Sequence, residues 1–421
     1  MSGEHAFSIQ SPSHNVLSQS QNSPYRIRVR ISRNERQVVV RGMDLHFARA
    51  TSARAQDFSV ESARPSTSLT EAKVRCHHGR VWVNSDQHIP WAVSVSSPAG
   101  FISWNGKSVR EELRIQAIAG GGEGCEIVNV LDLERYLDAV VGGEFNAHWN
   151  PEAVKAQIIA ARTYAIYQIL QARKKNILNF DVESTVSDQV YQGPEHEHFK
   201  SARLVESTRG VVLGVQDVGF RPIKAFYHSM CGGETELPER VWGKKYPGLG
   251  RVKCPFCHLS PGFNWSFQVP LHEIEDLVRL SLRGKSIPQG VDPRTFSWIV
   301  GRGNLNDAQV ELDERGIRVK RVNLMYRVPH PSNGKILNLE LPISAALIRS
   351  WLGASRIRST EFEIHTRALG DGQSSLVFSG KGFGHGVGMC QWGAKFMGDR
   401  GTSTVAILRH YYPGAEIRKL W

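Results

Sequence analysis

The chain of 421 residues is long enough to bury a sizeable core and to form two or three structural units. Its hydrophobic share of 41% is ordinary for a folded protein, and no apolar run approaches the length that crosses a bilayer, so we expect no transmembrane helix. The 52 Lys and Arg residues against 40 Asp and Glu give a formal charge of +12, which favours anionic partners. Nucleic acid is discounted as a partner, because the basic residues are scattered and no nucleic-acid-binding module accompanies them.

Residues 1–23 are rich in Ser, Gln, Asn and His and contain few apolar side chains. This composition predicts a disordered tail. The segment also lacks the basic start and apolar middle of a secretory signal peptide, so we expect no export signal in it.

Short strand-like runs follow over residues 24–130. Between residues 25 and 31 apolar side chains alternate with arginines, which predicts a half-buried strand with a basic outer face. The runs QVVVRG, RVWVN, LRIQAI and CEIVNV predict further strands. A Ser-, Ala- and Arg-rich stretch over 48–72 is interpreted as a loop or linker. We therefore predict a β-rich N-terminal region over 24–130.

Helical spacing of apolar residues replaces this alternation after residue 131. Residues 132–141 are predicted to form a helix that ends at the glycine pair 142–143. Asn150 followed by Pro151 predicts the start of a second helix, since Asn caps free backbone N–H groups and Pro fits the first turn. Apolar side chains then line one face over 154–169, which indicates a central buried helix.

Glu144 is placed by these predictions in the turn between the two helices. Its neighbours Phe145, His148 and Trp149 would exclude some water from the carboxyl group, which would raise its pKa and keep it protonated as an acid. The alternative is an ordinary exposed glutamate in a turn.

Six cysteines in a chain of this size are too sparse for a disulfide framework, but three of them are grouped. Cys231, Cys254 and Cys257 match the ligand types and spacing of a tetrahedral zinc site, with His228 or His258 as the fourth ligand. The alternatives are a redox or disulfide pair formed by Cys254 and Cys257, or plain buried thiols.

The stretch ERYLDAVVGGEFNAHWNPEAVKAQIIAARTYA resembles the core motif of the stage II sporulation protein D and amidase enhancer LytB family. Three later blocks match the family in the same order: STVSDQVYQG, ESTRGVVLGVQDVGFRPIKAFYHSMCGGETE and GKGFGHGVGMCQWGAKFMGDRGTSTVAILRHYYPG. Together the blocks cover much of residues 131–416, with a less recognisable, insertion-like stretch near 266–345. The resemblance does not by itself imply spore formation.

The resemblance implies lytic cleavage of the bond between N-acetylmuramic acid and N-acetylglucosamine, preferentially in glycan stripped of its stem peptides. In this family the glutamate of the interhelical turn is the catalytic acid/base, which here is Glu144. Most glycosidases need two carboxylates. A lytic transglycosylase can work with one, because the C6 hydroxyl of the sugar replaces water as the nucleophile and the product is a 1,6-anhydro sugar.

Other residues of the matching blocks are candidates for binding the glycan. Arg162 on the central helix needs a carboxylate partner or a substrate, so it is either a substrate ligand or part of a structural ion pair. Gln189 and Tyr191 in SDQVYQG are predicted to face the cleft, although packing is the simpler role for Tyr191. His228 contacts either the substrate or the metal.

Glycines occupy every second position from 380 to 388. This spacing is not GxGxxG and no GK[ST] follows, so a nucleotide site is rejected. Alternating glycines permit close backbone approach, which would display His385 beside a polymer. His385, Gln391 and Trp392 are therefore candidates for glycan contact, with a structural histidine and a core tryptophan as the alternatives.

We predict an α+β fold with a disordered tail (1–23), a β-rich N-terminal region (24–130) and a catalytic domain (131–421) that has a long substrate groove and a variable insertion near 266–345. The expected partners are peptidoglycan glycan strands and a cell-wall amidase, with one structural zinc and no nucleotide. The substrate implies an extracytoplasmic location. Two other functions stay open, a non-catalytic glycan-binding enhancer of an amidase and a structural wall-binding protein.

Overall fold

A computed structural model describes residues 23–50, 60–62, 69–84, 87–118, 122–175, 179–197, 199–282, 291–369 and 373–421. The chain divides into two compact units. Unit 1 contains the described residues up to Phe226 together with Tyr246–Leu249 and Met397–Trp421, and unit 2 contains Tyr227–Lys245 and Gly250–Phe396.

Strands and helices alternate irregularly along the described chain, as in an α+β protein. The strands are β1 (Arg26–Glu35), β2 (Val38–Ala50), β3 (Val60–Ser62), β4 (Leu69–His77), β5 (Arg80–Val83), β6 (Gln87–Pro90), β7 (Ala92–Trp104), β8 (Lys107–Ala117), β9 (Cys125–Asp132), β10 (Val182–Glu183), β11 (Val211–Asp217), β12 (Gly219–Pro222), β13 (Tyr227–His228), β14 (Asn264–Pro270), β15 (Asn304–Leu312), β16 (Val319–Pro329), β17 (Ile336–Ser344), β18 (Phe362–Ala368), β19 (Ser374–Lys381), β20 (Met389–Cys390) and β21 (Glu416–Lys419). The α-helices are α1 (Leu133–Glu144), α2 (Pro151–Lys175), α3 (Phe199–Ser207), α4 (Pro238–Trp242), α5 (Leu271–Leu282), α6 (Pro293–Arg302), α7 (Ala345–Leu352), α8 (Gln391–Asp399) and α9 (Thr404–Tyr411).

A large sheet dominates the N-terminal part of unit 1. Its strand order is β10-β1-β9-β8-β7-β2-β4-β5-β6, with β3 paired to β2, and all neighbours are antiparallel except β1 and β10. Alternate residues of β2, β4, β7 and β8 pack into one apolar core that includes Val40, Val74 and Trp104. The strands predicted from the sequence are confirmed.

The basic face of β1 differs from the prediction, because acidic side chains cover it. Arg28 is buried and forms an ion pair with Asp181, with 2.6 Å between Nη2 and Oδ1. Arg30 pairs with Glu183 and with Glu126. Asp181 precedes β10 and Glu183 belongs to it, so Arg28 and Arg30 hold this short strand in place rather than face solvent.

A disulfide joins Cys76 on β4 to Cys125 on β9. It was not anticipated from the sequence, because a single bridge leaves no pattern of repeated cysteine spacing. The bridge links two strands that are not neighbours in the sheet.

The helices α1 and α2 form where the spacing of apolar residues changes from alternating to helical. The side chain of Asp132 caps α1 by accepting from the Glu134 N–H. Asn150 Oδ1 accepts from the Glu152 N–H and Pro151 is the first helical residue, so the predicted start of α2 is confirmed. Residues 156–166 of α2 are buried without interruption, which confirms a central helix buried on every face.

Arg162 is fully buried at the centre of α2. Its Nη2 lies 2.8 Å from Glu134 Oε2 on α1, and its Nε lies 3.0 Å from Oε1. The remaining donors reach the carbonyl oxygens of Val205 and Val211. One guanidinium thus connects α1, α2, the α3 helix and β11.

Unit 2 has a core of its own, formed by two three-stranded sheets, β14-β19-β18 and β15-β16-β17, with α5, α6 and α7 packed against them. Much of this core comes from the stretch near 266–345 that the sequence predicted to be an insertion. Ile274, Ile299 and Ile348 are buried in it, one from each of the three helices.

The α+β fold class is confirmed. The predicted tail lies outside the described residues apart from Ser23. The loop predicted over 48–72 is wrong at its ends and within it, because β2 runs to Ala50, β3 falls inside it and β4 begins at Leu69. The predicted domain boundaries and the long groove stay predictions. Among the helices of the described residues, none combines the length and the apolar character that spanning a bilayer requires.

Glu134→Gln is expected to lower the free energy of unfolding by about 3–5 kcal/mol, because it leaves the buried Arg162 charge without a counter-charge. Urea denaturation followed by circular dichroism measures the change. Arg41→Gln is the control, because it breaks a pair with Glu71 whose side chains are 59% and 43% exposed and should cost less than about 1 kcal/mol. Equal small effects of the two substitutions would contradict this role for Arg162.

Candidate active site and metal centre

Glu144 is the last residue of α1, not a residue of the interhelical turn. The helix continues through Gly142 and Gly143, where the sequence predicted its end, and Phe145 closes it by donating its N–H to the Val141 carbonyl oxygen at 3.0 Å. Phe145 packs edge-on against Trp149, with 4.6 Å between ring centroids. The aromatic neighbourhood predicted for Glu144 is therefore present on its C-terminal side.

One oxygen of the Glu144 carboxyl group, Oε1, accepts a hydrogen bond from the backbone N–H of Val190. The two segments come this close because position 143 has no side chain. A Cβ atom on Gly143 would lie 2.7 Å from the Val190 carbonyl oxygen, which is closer than real Cβ contacts. Gly143 thus permits the approach, and the Val190 N–H fixes the acid.

The segment 188–191 that presents this N–H is anchored at neighbouring positions. The Asp188 carboxylate accepts from the Tyr164 hydroxyl at 2.6 Å and from Gln168 at 2.7 Å, both on α2. Its other oxygen accepts from the Glu183 N–H, which connects the segment to β10. The position of Val190 is therefore set by α2 and by the large sheet together.

Gln189 and Tyr191 are placed differently from the prediction that they face a cleft. Gln189 is fully buried, where it accepts from the Tyr136 hydroxyl at 3.0 Å and donates to the Ala161 carbonyl oxygen. Tyr191 is 5% exposed, stacks on Tyr136 and donates its hydroxyl to Asn129 at 2.6 Å. Both residues position the segment on either side of Val190 and do not offer a surface to a sugar.

Burial raises the pKa of Glu144, and the hydrogen bond from Val190 acts in the opposite direction because it stabilises the carboxylate. The net shift is upward. A carboxyl group in this setting is an acid that stays protonated at higher pH than an ordinary glutamate, yet has a donor ready for its charged form.

Asp138, also on α1, is the second carboxyl group of this region with a raised pKa, which burial and the nearby Glu197 charge bring to about 7. It is six residues before Glu144, which on a helix means a separation of roughly 9 Å along the axis and directions about 120° apart around it. Facing carboxylates are what a two-acid glycosidase needs. Asp138 does not provide the partner for that mechanism.

The burial of Arg162 excludes it as a substrate ligand. Its side chain has no exposed surface, and its bonds to Glu134 and to backbone oxygens use its donors inside the protein. The structural ion pair, which was the alternative, accounts for it.

The glycine-rich stretch of unit 2 confirms the expectation of close backbone approach. Gly382, Gly384, Gly386 and Gly388 all have positive φ, and a Cβ on Gly384 would lie 2.8 Å from the Cβ of His228. Side chains at these four positions would be strained, and at Gly382 and Gly384 they would also collide with residues 228–232.

His228, His385 and Gln391 lie in unit 2. His228 is 5% exposed and its Nδ1 lies 3.0 Å from the Val387 carbonyl oxygen. His385 Nδ1 accepts from the Val387 N–H at 3.0 Å, and the two imidazole rings are 5.4 Å apart. Burial lowers the pKa of His228 to about 4 and also lowers that of His385, so both rings are neutral at pH 7.

Gln391 is 8% exposed at the start of α8, and the neighbouring Trp392 packs against Phe396. His228 Nε2 is buried and has no hydrogen-bond partner within the part of the chain that the structure describes. Glycan contact by His228, His385 and Gln391 stays a prediction.

Four cysteines of unit 2 converge, and their sulfur atoms all lie within 4.8 Å of one another: Cys231, Cys254, Cys257 and Cys390. All four are free thiols and are at most 2% exposed. The Cys231 and Cys257 sulfurs are 3.6 Å apart. Four thiolates about 2.3 Å from a zinc ion would be about 3.8 Å from one another, so this donor set fits a tetrahedral metal ion.

The fourth member of the cluster is Cys390, whereas the sequence prediction named His228 or His258. Neither histidine belongs to the cluster. The sequence signal was available in GVGMCQWG, but Cys390 is separated from Cys257 by 132 intervening residues, so local spacing could not connect them. The parallel pairing of β13 with β20 brings the two parts of the chain together, with His228 opposite Cys390.

Gly143→Ala is expected to displace Val190 and break its hydrogen bond to Glu144. The pKa of Glu144 should rise further, because the carboxylate loses its donor. Titration of the carboxyl carbon by NMR measures this. We expect a net loss of about 1–2 kcal/mol in stability, since the steric cost outweighs the helix preference of Ala. Gly301→Ala on α6 is the control, because its Cβ would meet no atom within 4 Å and the change should be neutral or stabilising. An unchanged Glu144 titration would contradict the positioning role of Gly143.

The region that contains Glu144 also matches known proteins. Residues 121–214, which contain α1, α2 and the 188–191 segment, match the family described as Stage II sporulation protein. An uncharacterized protein of Brachyspira hyodysenteriae is 31% identical over 69% of this chain and 68% of its own length. Stage II sporulation protein D of Bacillus amyloliquefaciens is 29% identical over 69% of this chain and 75% of its own length. The amidase enhancer of Bacillus subtilis is 28% identical over 67% of this chain and 40% of its own length. The chain belongs to the stage II sporulation protein D family.

Proposed function

We propose that this protein is a peptidoglycan lytic transglycosylase. It cleaves the bond between N-acetylmuramic acid and N-acetylglucosamine in strands that have lost their stem peptides, and leaves 1,6-anhydro ends. The observation that carries the proposal is Glu144 at the end of α1, where burial raises its pKa and the Val190 N–H fixes one of its oxygens.

Glu144 acts first as an acid. Its proton passes to the glycosidic oxygen as the bond from that oxygen to the anomeric carbon breaks. The C6 hydroxyl of the same muramic acid residue then attacks the anomeric carbon, and Glu144 accepts the proton that the hydroxyl loses. Glu144 gives up one proton and takes up one proton in each cycle. The reaction therefore needs no second carboxylate and consumes no water.

This cycle needs a carboxyl group that exists in its protonated form before the bond breaks and in its charged form afterwards. Burial favours the neutral form that starts the reaction, and the Val190 N–H stabilises the charged form that exists halfway through it.

The names of the relatives fit a role at the cell wall, and that of the amidase enhancer suggests a cell-wall amidase as a partner. An amidase would supply glycan without stem peptides, which is the proposed substrate. The substrate lies outside the cytoplasm, so the proposal includes an extracytoplasmic location. The Cys76–Cys125 disulfide supports it, because disulfides persist in oxidising compartments.

Glu144→Gln should reduce the release of 1,6-anhydro products from denuded glycan strands by about 10²–10⁴-fold, the usual contribution of a general acid. Gln keeps the size of the side chain and an oxygen that can accept from Val190, so binding should be retained. Mass spectrometry of the soluble products and co-sedimentation with insoluble glycan measure the two quantities.

Glu206→Gln is the matched control, because this acid of unit 1 is 59% exposed and should release product at the wild-type rate. Binding without product from the wild-type protein would reject the enzyme and favour the non-catalytic amidase enhancer. Neither binding nor product would reject both the enzyme and the glycan-binding enhancer.

We also propose that the four-cysteine cluster holds one structural zinc ion. Thiolates are preferred zinc ligands, and a closed set of four is typical of structural rather than catalytic sites. Burial raises the pKa of the Cys390 thiol in the metal-free cluster, so binding of a cation and loss of the thiol protons would be coupled.

Cys390→Ser should lower the zinc content of the purified protein from about one ion per chain to well below it. The double change Cys76→Ser with Cys125→Ser is the control, since it removes the same type of atom outside the cluster and should leave the zinc in place. Plasma mass spectrometry measures the metal. A metal-free wild-type protein whose mass shows an oxidised Cys254–Cys257 pair would establish the redox alternative.

A further inference from the structure

The N-terminal sheet of unit 1 carries a second concave surface that the proposed reaction does not use. It is a cavity of about 760 Å³ along β4 and β5, here called the β4–β5 groove, and its lining includes Arg36, Lys73, Arg75, Trp82 and Asn84. Its volume lies within the range of roughly 300–1,000 Å³ in which proteins bind small ligands or a few units of a polymer.

Strand alternation places a row of basic groups on the outer face of this sheet. Lys73, Arg75 and His77 are exposed, whereas the residues between them are buried. Successive members of such a row are about 7 Å apart. The row runs along the strand, as a binding surface for an extended anionic chain would.

Trp82 lies beside this row. It is directly opposite Arg75 in the pairing of β5 with β4, so the two side chains share the outer face. Trp82 is 36% exposed. An exposed tryptophan offers a flat face on which a sugar ring can stack.

The charge of the groove is positive after its acids are taken into account. Arg36, Lys73 and Arg75 in the lining outnumber Glu71 and Glu123, and Glu71 is paired with Arg41 at 2.8 Å. Within the described chain, no ion pair involves Arg36, Lys73 or Arg75. These three cations are therefore available to an anionic ligand.

The groove is also held in shape before any ligand arrives. Gln37 Oε1 accepts from Arg75 at 2.9 and 3.1 Å, which orients the guanidinium. Cys76 in the groove wall is cross-linked to Cys125, and Gly124 donates its N–H to the Cys76 carbonyl oxygen. Orientation before binding lowers the entropy that a ligand loses.

We propose that the β4–β5 groove binds an acidic glycan, with Trp82 stacked on a sugar ring and Lys73 and Arg75 paired with its carboxylates. The inference rests on the proposed function for the identity of the polymer, because peptidoglycan without stem peptides carries a free carboxylate on each muramic acid residue. The groove then holds the strand at a second place, apart from the residues around Glu144.

The test uses the full chain with Glu144→Gln, so that the glycan is not consumed. Binding to denuded glycan strands is compared with binding to the same strands after their carboxylates are converted to methylamides, and with a phosphate-bearing wall polymer. Trp82→Ala and the double change Lys73→Gln with Arg75→Gln should each weaken binding of the acidic strands by about tenfold, the scale of one stacking contact or of two charge contacts.

Methylamide strands should bind about tenfold more weakly than acidic strands and should not respond to the charge substitutions. The controls are Phe101→Ala, which removes a 45% exposed aromatic side chain of β7, and Lys320→Gln with Arg321→Gln, which removes two exposed cations from β16. Circular dichroism verifies that each variant is folded, and Arg75→Lys, which keeps the charge, should retain most of the binding.

Undiminished binding by folded groove variants would overturn the proposal, as would equal binding of acidic and methylamide strands. A phosphate polymer that binds more tightly than the glycan and depends on the same residues would replace the glycan as the ligand. Product release by the protein without Glu144→Gln is scored separately. A groove that binds glycan in a protein that releases no product would reject the enzyme and keep the groove.

Discussion

The ion pair between Arg162 and Glu134 lies at a point where four elements of unit 1 meet. A guanidinium without exposed surface must have partners for its charge and its donors, and they come from α1, from the α3 helix and from β11. The helices cannot shift along each other without breaking several of these bonds. Because Glu144 ends α1 and Tyr164 lies on α2, the same constraint sets the distance between the candidate acid and the residues that hold its partner.

The partner of Glu144 in the candidate site is a backbone N–H group rather than a second reactive side chain. Val190 contributes only its N–H, and its position follows from Asp188 on one side and Tyr191 on the other. A side chain can be lost to a single substitution, whereas a backbone donor is lost only when the segment moves. Burial raises the pKa of Glu144 and this donor lowers it, and the net shift is upward.

Local sequence patterns predicted the helices and strands well, whereas contacts between residues that are distant in sequence could not be predicted. The Asn150 cap, the burial of α2 and the alternation in β1 follow from neighbouring residues, so sequence reasoning could find them. For Arg162 the sequence left a substrate ligand and a structural ion pair open, and Gln189 was predicted to face the cleft, because a buried polar residue and a binding residue cannot be distinguished from sequence alone. Cys390 and Cys125 were missed as partners since both depend on strands that are distant in sequence. The end of α1 was placed too early because glycine usually ends helices, whereas Gly143 is needed for packing against Val190.

The anchoring of residues 188–191 has a consequence for genetics. Most of the side chains that hold Val190 are buried, and their replacement would disturb Glu144 without removing any atom that a sugar could touch. A saturation screen for inactive variants would therefore return many interior positions of α1, α2 and β10. These positions would identify the residues that hold Glu144 in place. The residues that bind the glycan would have to be found by measuring the affinity of variants for it.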